Sequence, residues 1–257
     1  MKIQIIGLGI VGSAQAYLMQ NLGHNVYGKD PVKKTSEYCT VTKEYQKDAD
    51  ITFICVPEKL VENVIFEIKE AGVKGIVVIK STVPTGTTLK LSEKYGMTLM
   101  HNPEFLRADH LLYDVMNPSR IVIGTTVLRY GQVLSDLYAS LNAPIYITNT
   151  ATSELIKLTS NTLRAVNISY WNELNELCSR VGADINCIAE SANTADVLGK
   201  YEGGGGWGTR FFGKPYGGTC LPKDMQQFIT VFRENGLNPG ILEAAEKFNQ
   251  KLINNEV

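Results

Sequence analysis

The chain opens with Lys2-Ile3-Gln4-Ile5-Ile6-Gly7-Leu8-Gly9-Ile10-Val11-Gly12, and this stretch decides how the rest is read. Ile3–Ile6 is a short apolar run that stops at a glycine, the pattern of a buried strand. Helical sequence then continues to about Leu22, and Gly23 stands where a helix C-cap glycine belongs. Asn25–Gly28 reads as a second strand, and Asp30 lies 18 residues beyond Gly12. Gly7, Gly9 and Gly12 fit G-x-G-x-x-G. Alone this pattern is weak, but a strand before it, a helix after it and an acid at the end of the next strand make it a dinucleotide fingerprint. Gly7 permits the tight turn. Gly9 lets backbone N–H groups approach a pyrophosphate at the helix N-terminus, flanked by Ile10 and Val11. Gly12 lets helix and strand pack closely. Asp30 is suited to accept a hydrogen bond from a ribose 2′-hydroxyl and to repel a 2′-phosphate, which favours NAD over NADP. Lys29, Lys33 and Lys34 are nearby cations that could accommodate that phosphate instead. A glycine-rich turn in an unrelated α/β protein is the competing reading.

Working outward, strands are expected at Ile51–Val56, Ile76–Ile79, Met97–Met100 and Arg120–Ile123. Helices are expected at Lys59–Ala71, Thr85–Tyr95 and Val127–Leu141. Strands alternating with helices imply a parallel sheet covered on both faces. The pattern changes near residue 148. One long helix is expected over Ser153–Val181, then Ile185–Ser191, a segment with nine glycines from Gly199 to Gly218, and helices at Pro222–Phe232 and Gly240–Leu252. The expected class is therefore α/β. A Rossmann-type doubly wound parallel sheet over residues 1–148 precedes a helical domain over 149–257.

A net charge of −1 gives no reason to expect nucleic acid or a membrane surface as partner. No apolar run approaches the length of a membrane span, and the N-terminus enters a strand pattern rather than a leader peptide. The cysteines number five, an odd count, and none has C-x-x-C spacing. That argues against a disulfide framework and a structural zinc site, and no metal is expected. A reducing, cytoplasmic setting is the simplest reading.

Four clusters carry chemistry. Tyr216-Gly217-Gly218-Thr219-Cys220-Leu221-Pro222-Lys223-Asp224 places a thiol at the start of a helix whose first turn holds Pro222. A thiol there, beside Lys223, is expected to be activated as a nucleophile. The bland alternative is a buried cysteine at a helix start. Lys157 and Asn161 are four residues apart and share a helix face, which on spacing alone is more often a solvated polar face. Asn102-Pro103-Glu104-Phe105-Leu106-Arg107 and Ser81-Thr82-Val83-Pro84 both follow strand ends, where parallel sheets place ligands. None of His24, His101 and His110 sits in a persuasive general-base context. His101 is expected to be structural.

Taken in order along nearly the whole chain, these four clusters resemble the UDP-glucose/GDP-mannose dehydrogenase family, most specifically at Gly217–Asp224. The resemblance implies NAD-dependent oxidation of a nucleotide-sugar primary alcohol to a carboxylate, with UDP-glucose the leading substrate. It implies that Cys220 attacks the aldehyde to give a thiohemiacetal and then a thioester. Lys157 and Asn161 would stabilise the oxyanion, and Asp224 would help activate water or take up a proton. Glu104 and Thr82 would position that water. Whether Lys157 takes up a proton or acts through charge alone stays open. The cofactor surroundings would include Lys34, Pro57, Thr82 and Lys223. The substrate would meet Glu104, Phe105, Leu106, Arg107, Lys157, Asn161, Arg210, Tyr216 and Gly217, with Lys200, Arg210 and Lys214 closing over its diphosphate.

Two departures stand out. Ala108 occupies a position where the family commonly has glutamate, with Asp109 next. Full family members also continue past the equivalent of Val257 into a second α/β domain, so the substrate is expected to bind weakly, to be a different smaller molecule, or to have its site completed by a partner chain. The apolar positions Ile241, Leu242, Ala245, Phe248 and Leu252 suggest a homodimer through the last helix. Two other functions remain in view: a two-electron dehydrogenase of a small hydroxy compound, for which Cys220 is unnecessary, and a non-catalytic NAD-binding relative.

Overall fold

The computed structural model describes residues 1–107, 110–193 and 214–256. The expectations resting on Ala108, Asp109, Lys200 and Arg210 fall outside these residues. The chain separates into two compact units, Met1–Lys157 and Leu158–Val257.

In the first unit, eight strands form one sheet. They are β1 (Lys2–Ile6), β2 (Asn25–Lys29), β3 (Thr40–Val41), β4 (Ile51–Ile54), β5 (Ile76–Ile79), β6 (Leu99–His101), β7 (Ile121–Gly124) and β8 (Ile145–Thr148). Their order is β3-β2-β1-β4-β5-β6-β7-β8. The chain therefore reverses its direction of travel across the sheet at β1/β4, the crevice where open α/β sheets bind ligands.

Side-chain alternation divides the core between two faces. Ile3, Ile5, Phe53, Val78 and Met100 face one way, packing with helices α1 (Ile10–Asn21), α4 (Leu111–Met116) and α5 (Leu128–Tyr138). Ile6, Ile54, Val77, Ile79 and Leu99 face the other, against α2 (Glu58–Ala71) and α3 (Thr87–Tyr95). This is why the strands read as continuous apolar runs: both faces are covered. Each fully buried Ile or Phe stabilises by about 1.5–3 kcal/mol relative to exposure.

One pairing departs from the expected parallel sheet. β7 runs antiparallel to β6, through the pair His101 and Gly124. Among the described residues the connection between them carries the short α4, and a reversal beside β6 spares it a return along the sheet. β7 and β8 are again parallel, joined through α5.

Helix α6 (Thr150–Val181) begins three residues before the expected Ser153. Asn149 explains the earlier start, since its Oδ1 accepts the Thr152 N–H at 2.8 Å. Beyond Lys157, α6 belongs to the second unit, with α7 (Ile185–Asn193), α8 (Leu221–Glu234) and α9 (Gly240–Ile253). That unit's core gathers Ala165, Ile168, Tyr216, Met225, Ile229 and Ala245. Among the described residues no helix is long and apolar enough to cross a membrane, and no cluster of His, Cys, Asp and Glu could hold a metal.

Candidate active site

Each fingerprint glycine has a separate reason to be glycine. Gly7 adopts φ +87°, and a Cβ there would stand 2.6 Å from the Cys55 carbonyl oxygen. A Cβ on Gly12 would stand 1.8 Å from the Gly7 carbonyl oxygen. At Gly9 a Cβ would meet nothing within 4 Å, so the space over the turn is open. Gly9 is the N-cap of α1 and offers no side-chain hydrogen bond to it. The N–H groups of Ile10, Val11 and Gly12 thus lack intrahelical acceptors and carry the positive end of the helix dipole. A groove of about 420 Å³ lies here, lined by Gly9, Ile10, Ser13, Ala14, Lys33, Leu111 and Leu112. A dinucleotide pyrophosphate fits this uncapped, open terminus.

Asp30 follows β2 directly. Its Oδ2 accepts the Leu8 N–H at 2.8 Å, and its Oδ1 accepts the Val32 and Lys33 N–H groups at 2.9 Å each. Burial pushes this carboxyl up. The N–H groups of Leu8, Lys33 and Val32, with the Lys33 charge, outweigh that and hold it below the usual carboxylate range. A carboxylate offers about four acceptor positions, so one remains for a ribose hydroxyl. Lys33 Nζ reaches Ser13 Oγ at 3.3 Å, and Lys34 Nζ turns to the Pro31 carbonyl at 2.8 Å.

The exits of β4, β5 and β6 are laced together. Pro57 caps α2. Ser81 Oγ donates to the Val56 carbonyl at 2.6 Å, which fixes the turn carrying the half-buried Thr82. Glu104 Oε1 accepts from Lys157 Nζ at 3.0 Å, while its Oε2 accepts the Leu106 N–H at 2.6 Å. Burial raises the Glu104 carboxyl. The charge of Lys157, the Leu106 N–H, the Lys157 hydrogen bond and the charge of Lys80 together reverse this and hold it low. The Phe105 ring carries the Arg120 guanidinium 3.7 Å from its centroid, with Lys157 Nζ at 5.5 Å. Leu106 packs into the sheet core. Arg107 donates from Nε and Nη2 to the two oxygens of Asp114, at 2.9 and 2.6 Å. The structure thus gathers Lys157, Glu104 and Phe105, while Arg107 is engaged with α4.

Beneath them lies a polar network that sequence reading does not anticipate. Lys80 Nζ donates to Asn102 Oδ1 at 3.0 Å, and the Tyr138 hydroxyl donates to the same oxygen at 2.8 Å. Gln15 Nε2 donates to that hydroxyl at 3.1 Å, and Asn102 Nδ2 to the Val122 carbonyl at 2.7 Å. Burial pushes Lys80 down to about 8 against the opposing influence of Cys55 and Glu104, with Lys157 lowering it further. His101, fully buried, contacts Ser153 Oγ through Nδ1 at 2.8 Å and is pushed down to about 3, chiefly by burial. A charged residue at a strand end reads as exposed, so only the pairing of Ile79 with His101 reveals Lys80 beside Asn102.

In the second unit, Cys220 is the N-cap of α8, exposed, with Pro222 in the first turn. Its sulfur is 3.7 Å from Thr219 Oγ1. Asp224, one turn inside α8, is 1% exposed; its Oδ2 accepts from Asn161 Nδ2 at 2.5 Å and its Oδ1 lies 2.6 Å from Lys223 Nζ. Gly217 is exposed. Tyr216 is buried; its hydroxyl donates to Glu246, and its backbone N–H and carbonyl pair with the Asn249 carboxamide at 2.8 and 3.1 Å. Asn172 Nδ2 donates to the Lys214 carbonyl at 3.0 Å.

The strand order, the uncapped glycine turn and the acid after β2 place the first unit among NAD-binding dehydrogenases. Residues 32–142 match the NAD binding domain of the UDP-glucose/GDP-mannose dehydrogenase family, and residues 151–251 match its central domain. The chain is 32% identical to the UDP-glucose 6-dehydrogenase of Campylobacter jejuni, with 98% of this chain and 75% of that protein covered. It is 31% identical to UDP-glucose 6-dehydrogenase YwqF of Bacillus subtilis, over 90% of this chain and 62% of that protein. A UDP-glucose dehydrogenase structure from Pyrobaculum islandicum superposes with a TM-score of 0.85 at 28% identity, covering 97% of this chain and 68% of that one. The chain belongs to the UDP-glucose/GDP-mannose dehydrogenase family, and its cofactor is NAD.

Proposed function

We propose that this chain oxidises the primary alcohol of a nucleotide sugar to a carboxylate in two NAD-dependent steps, with UDP-glucose to UDP-glucuronate the leading case. The observation that carries this reading is Cys220 at the α8 cap, with Asp224 one turn inside and hydrogen-bonded to Asn161. An alcohol-to-aldehyde oxidation has no use for a thiol, whereas a thiohemiacetal gives an aldehyde the tetrahedral carbon from which a second hydride can leave.

Residues 1–148 serve as the cofactor domain and 149–257 as the domain bearing the thiol. Gly7 to Gly12 and Asp30 hold the dinucleotide, with Pro57, Thr82, Lys34 and Lys223 around it. Bound NAD⁺ supplies the hydride acceptor for both oxidations. In the first, the alcohol also loses its hydroxyl proton and becomes an aldehyde. The Cys220 sulfur then forms a bond to the aldehyde carbon, and the carbonyl oxygen takes a proton, giving a thiohemiacetal. Oxidation of that adduct leaves a thioester. Water adds to the thioester carbon, the C–S bond breaks, and the thiol takes a proton as the carboxylate departs. Lys157 and Asn161 stabilise the oxygen that becomes negative; donors of this kind contribute roughly 3–4 kcal/mol each. Asp224 exchanges the proton, and Glu104 and Thr82 orient the water. Phe105, Leu106, Arg107, Tyr216 and Gly217 complete the surroundings of the sugar nucleotide. The assembly is a homodimer through α9, on which Ile241 is exposed. The setting is cytoplasmic, in keeping with free cysteines.

The test is stoichiometry. UDP-glucose, GDP-mannose and UDP-N-acetylmannosamine are each offered with NAD⁺, and NADH is counted per sugar consumed. Two NADH per sugar are expected. One per sugar, unmoved by Cys220→Ser, overturns the reading in favour of a two-electron dehydrogenase. A monomer by light scattering at micromolar concentration removes the dimer.

A further inference from the structure

We infer that Glu154 is a positioning residue for the proposed oxidation: its buried carboxylate fastens the segment carrying Thr82 to helix α6, and so fixes Thr82 in relation to Lys157, one helical turn further along α6. The inference rests on the roles given above to Thr82 and Lys157.

Segment 81–88, which carries Thr82, is tied to α6 at both ends. At its start, the Ser81 carbonyl lies 3.4 Å from His101 Nε2, and His101 Nδ1 lies 2.8 Å from Ser153 Oγ. At its end, Glu154 Oε2 accepts the Gly86 N–H at 2.6 Å, while Oε1 accepts the Thr88 N–H and hydroxyl at 2.8 and 2.6 Å. Ser153 and Glu154 are consecutive, so adjacent residues of α6 hold both ends of the segment. Between those ends the Thr87 N–H bonds back to the Pro84 carbonyl at 3.2 Å, which takes up slack after Thr82. Lys157 is three residues beyond Glu154 on the same helix, a spacing that makes the two neighbours on its surface. Its Nζ in turn reaches Glu104 Oε1 at 3.0 Å.

The need for a helix cap does not by itself account for this residue. A helix N-terminus is ordinarily satisfied by Ser, Thr, Asp or Asn at the cap position. The α3 cap is Gly86, at φ +89°, and the acceptor comes from 68 residues away. Glu154 is 0% exposed, and its three donors are two backbone N–H groups and a hydroxyl, all uncharged. Burying a carboxylate against neutral donors is costly. Burial accordingly pushes this carboxyl up, against the lowering influence of the Thr88 and Gly86 hydrogen bonds. What the arrangement provides beyond a local cap is a fixed relation between the Thr82 segment and α6.

The experiment is a double-mutant cycle joined to a measurement that needs no turnover. Glu154→Gln keeps the shape of the side chain but turns an amino group toward the Gly86 or Thr88 N–H. With UDP-glucose as substrate, kcat for NADH formation should fall about 10- to 100-fold, with KM for NAD⁺ unchanged. In a Thr82→Ala background the same substitution should cost less than about twofold, because its route to the reaction is already gone. Equal losses in the two backgrounds overturn the inference, since a residue that only stabilises the fold is indifferent to Thr82. An unchanged kcat in the first overturns it as well. Without substrate, amide hydrogen exchange below the melting transition should quicken about tenfold at Thr82 and Val83 in Glu154→Gln, and not only at Gly86 and Thr88. Quickening confined to Gly86 and Thr88 marks a plain helix cap and overturns the inference. If Glu154→Gln does not fold, Thr88→Val removes one of the three bonds and keeps the carboxylate. It should show smaller changes in the same directions, and no change overturns the inference. A chain that yields no NADH from any nucleotide sugar sinks the proposed reaction, while the exchange measurement still decides whether Glu154 holds the Thr82 segment.

Discussion

Helices α1 and α8 begin alike and are put to different use. Neither has a side-chain hydrogen bond at its cap. At α1 the cap is Gly9, and the bare N–H groups face open space. At α8 the cap is Cys220, and a sulfur stands at the same electropositive end. A third terminus shows the alternative. Helix α3 is closed by Glu154, whose carboxylate accepts the Gly86 N–H at 2.6 Å and both the N–H and hydroxyl of Thr88, at 2.8 and 2.6 Å. Helix α3 is thus closed by a carboxylate of its own unit, whereas α1 and α8, like α2, α4, α5 and α9, have no side-chain hydrogen bond from the cap residue. The same kind of terminus can hold an anion or present a sulfur, and the cap residue selects which.

The largest expected effect breaks that contrast at α8. Cys220→Ser should cut acid formation by at least about 10³-fold, with no loss of NAD binding by calorimetry. Equal loss of both would mean that the two termini are not separate devices. Next comes Gly12→Ala, which drives a Cβ into the Gly7 carbonyl and should destabilise the chain by about 3 kcal/mol in urea melts. Gly9→Ala sharpens the comparison, because its Cβ meets nothing. Its melting temperature should stay at the wild-type value while NAD binds about tenfold more weakly, roughly 1.4 kcal/mol. A lowered melting temperature with unchanged binding would place the pyrophosphate elsewhere. The smallest effect belongs to Asp30. Its folded carboxyl titrates below its unfolded value, so its stabilisation is present above the unfolded midpoint and fades as pH falls through the folded one. Asp30→Asn should flatten the stability-against-pH curve in that acid window and narrow the preference for NAD over NADP. An unchanged curve would mean that its three N–H bonds contribute nothing net.

Much of the first unit was legible because its signals are local. The alternation of Ile3, Ile5 and Ile6 between faces, and the three glycines, are written in adjacent residues. The antiparallel β7 was not legible, since the direction of a strand is a property of its connection and not of Ile121–Gly124 itself. β8 and β3 were missed for different reasons. β8 lies at the sheet edge with Tyr146 and Ile147 exposed, and β3 is only two residues long. Of the candidate site residues, Cys220 stood out by its own motif, whereas Lys157 and Asn161 rested on the family resemblance, because their spacing alone reads as a solvated polar face. The engagement of Arg107 by Asp114 depended on the fold of α4, and the burial of Lys80 on the order of the strands. Each required knowing what lies across space.

The carboxamide of Asn249 gives and takes one hydrogen bond with the backbone of a single residue, Tyr216, as a neighbouring peptide would. It is a clasp, and it closes four residues before the thiol. The backbone leading into the α8 cap is therefore held by α9, so the place of the sulfur depends on a contact made near the far end of the described chain.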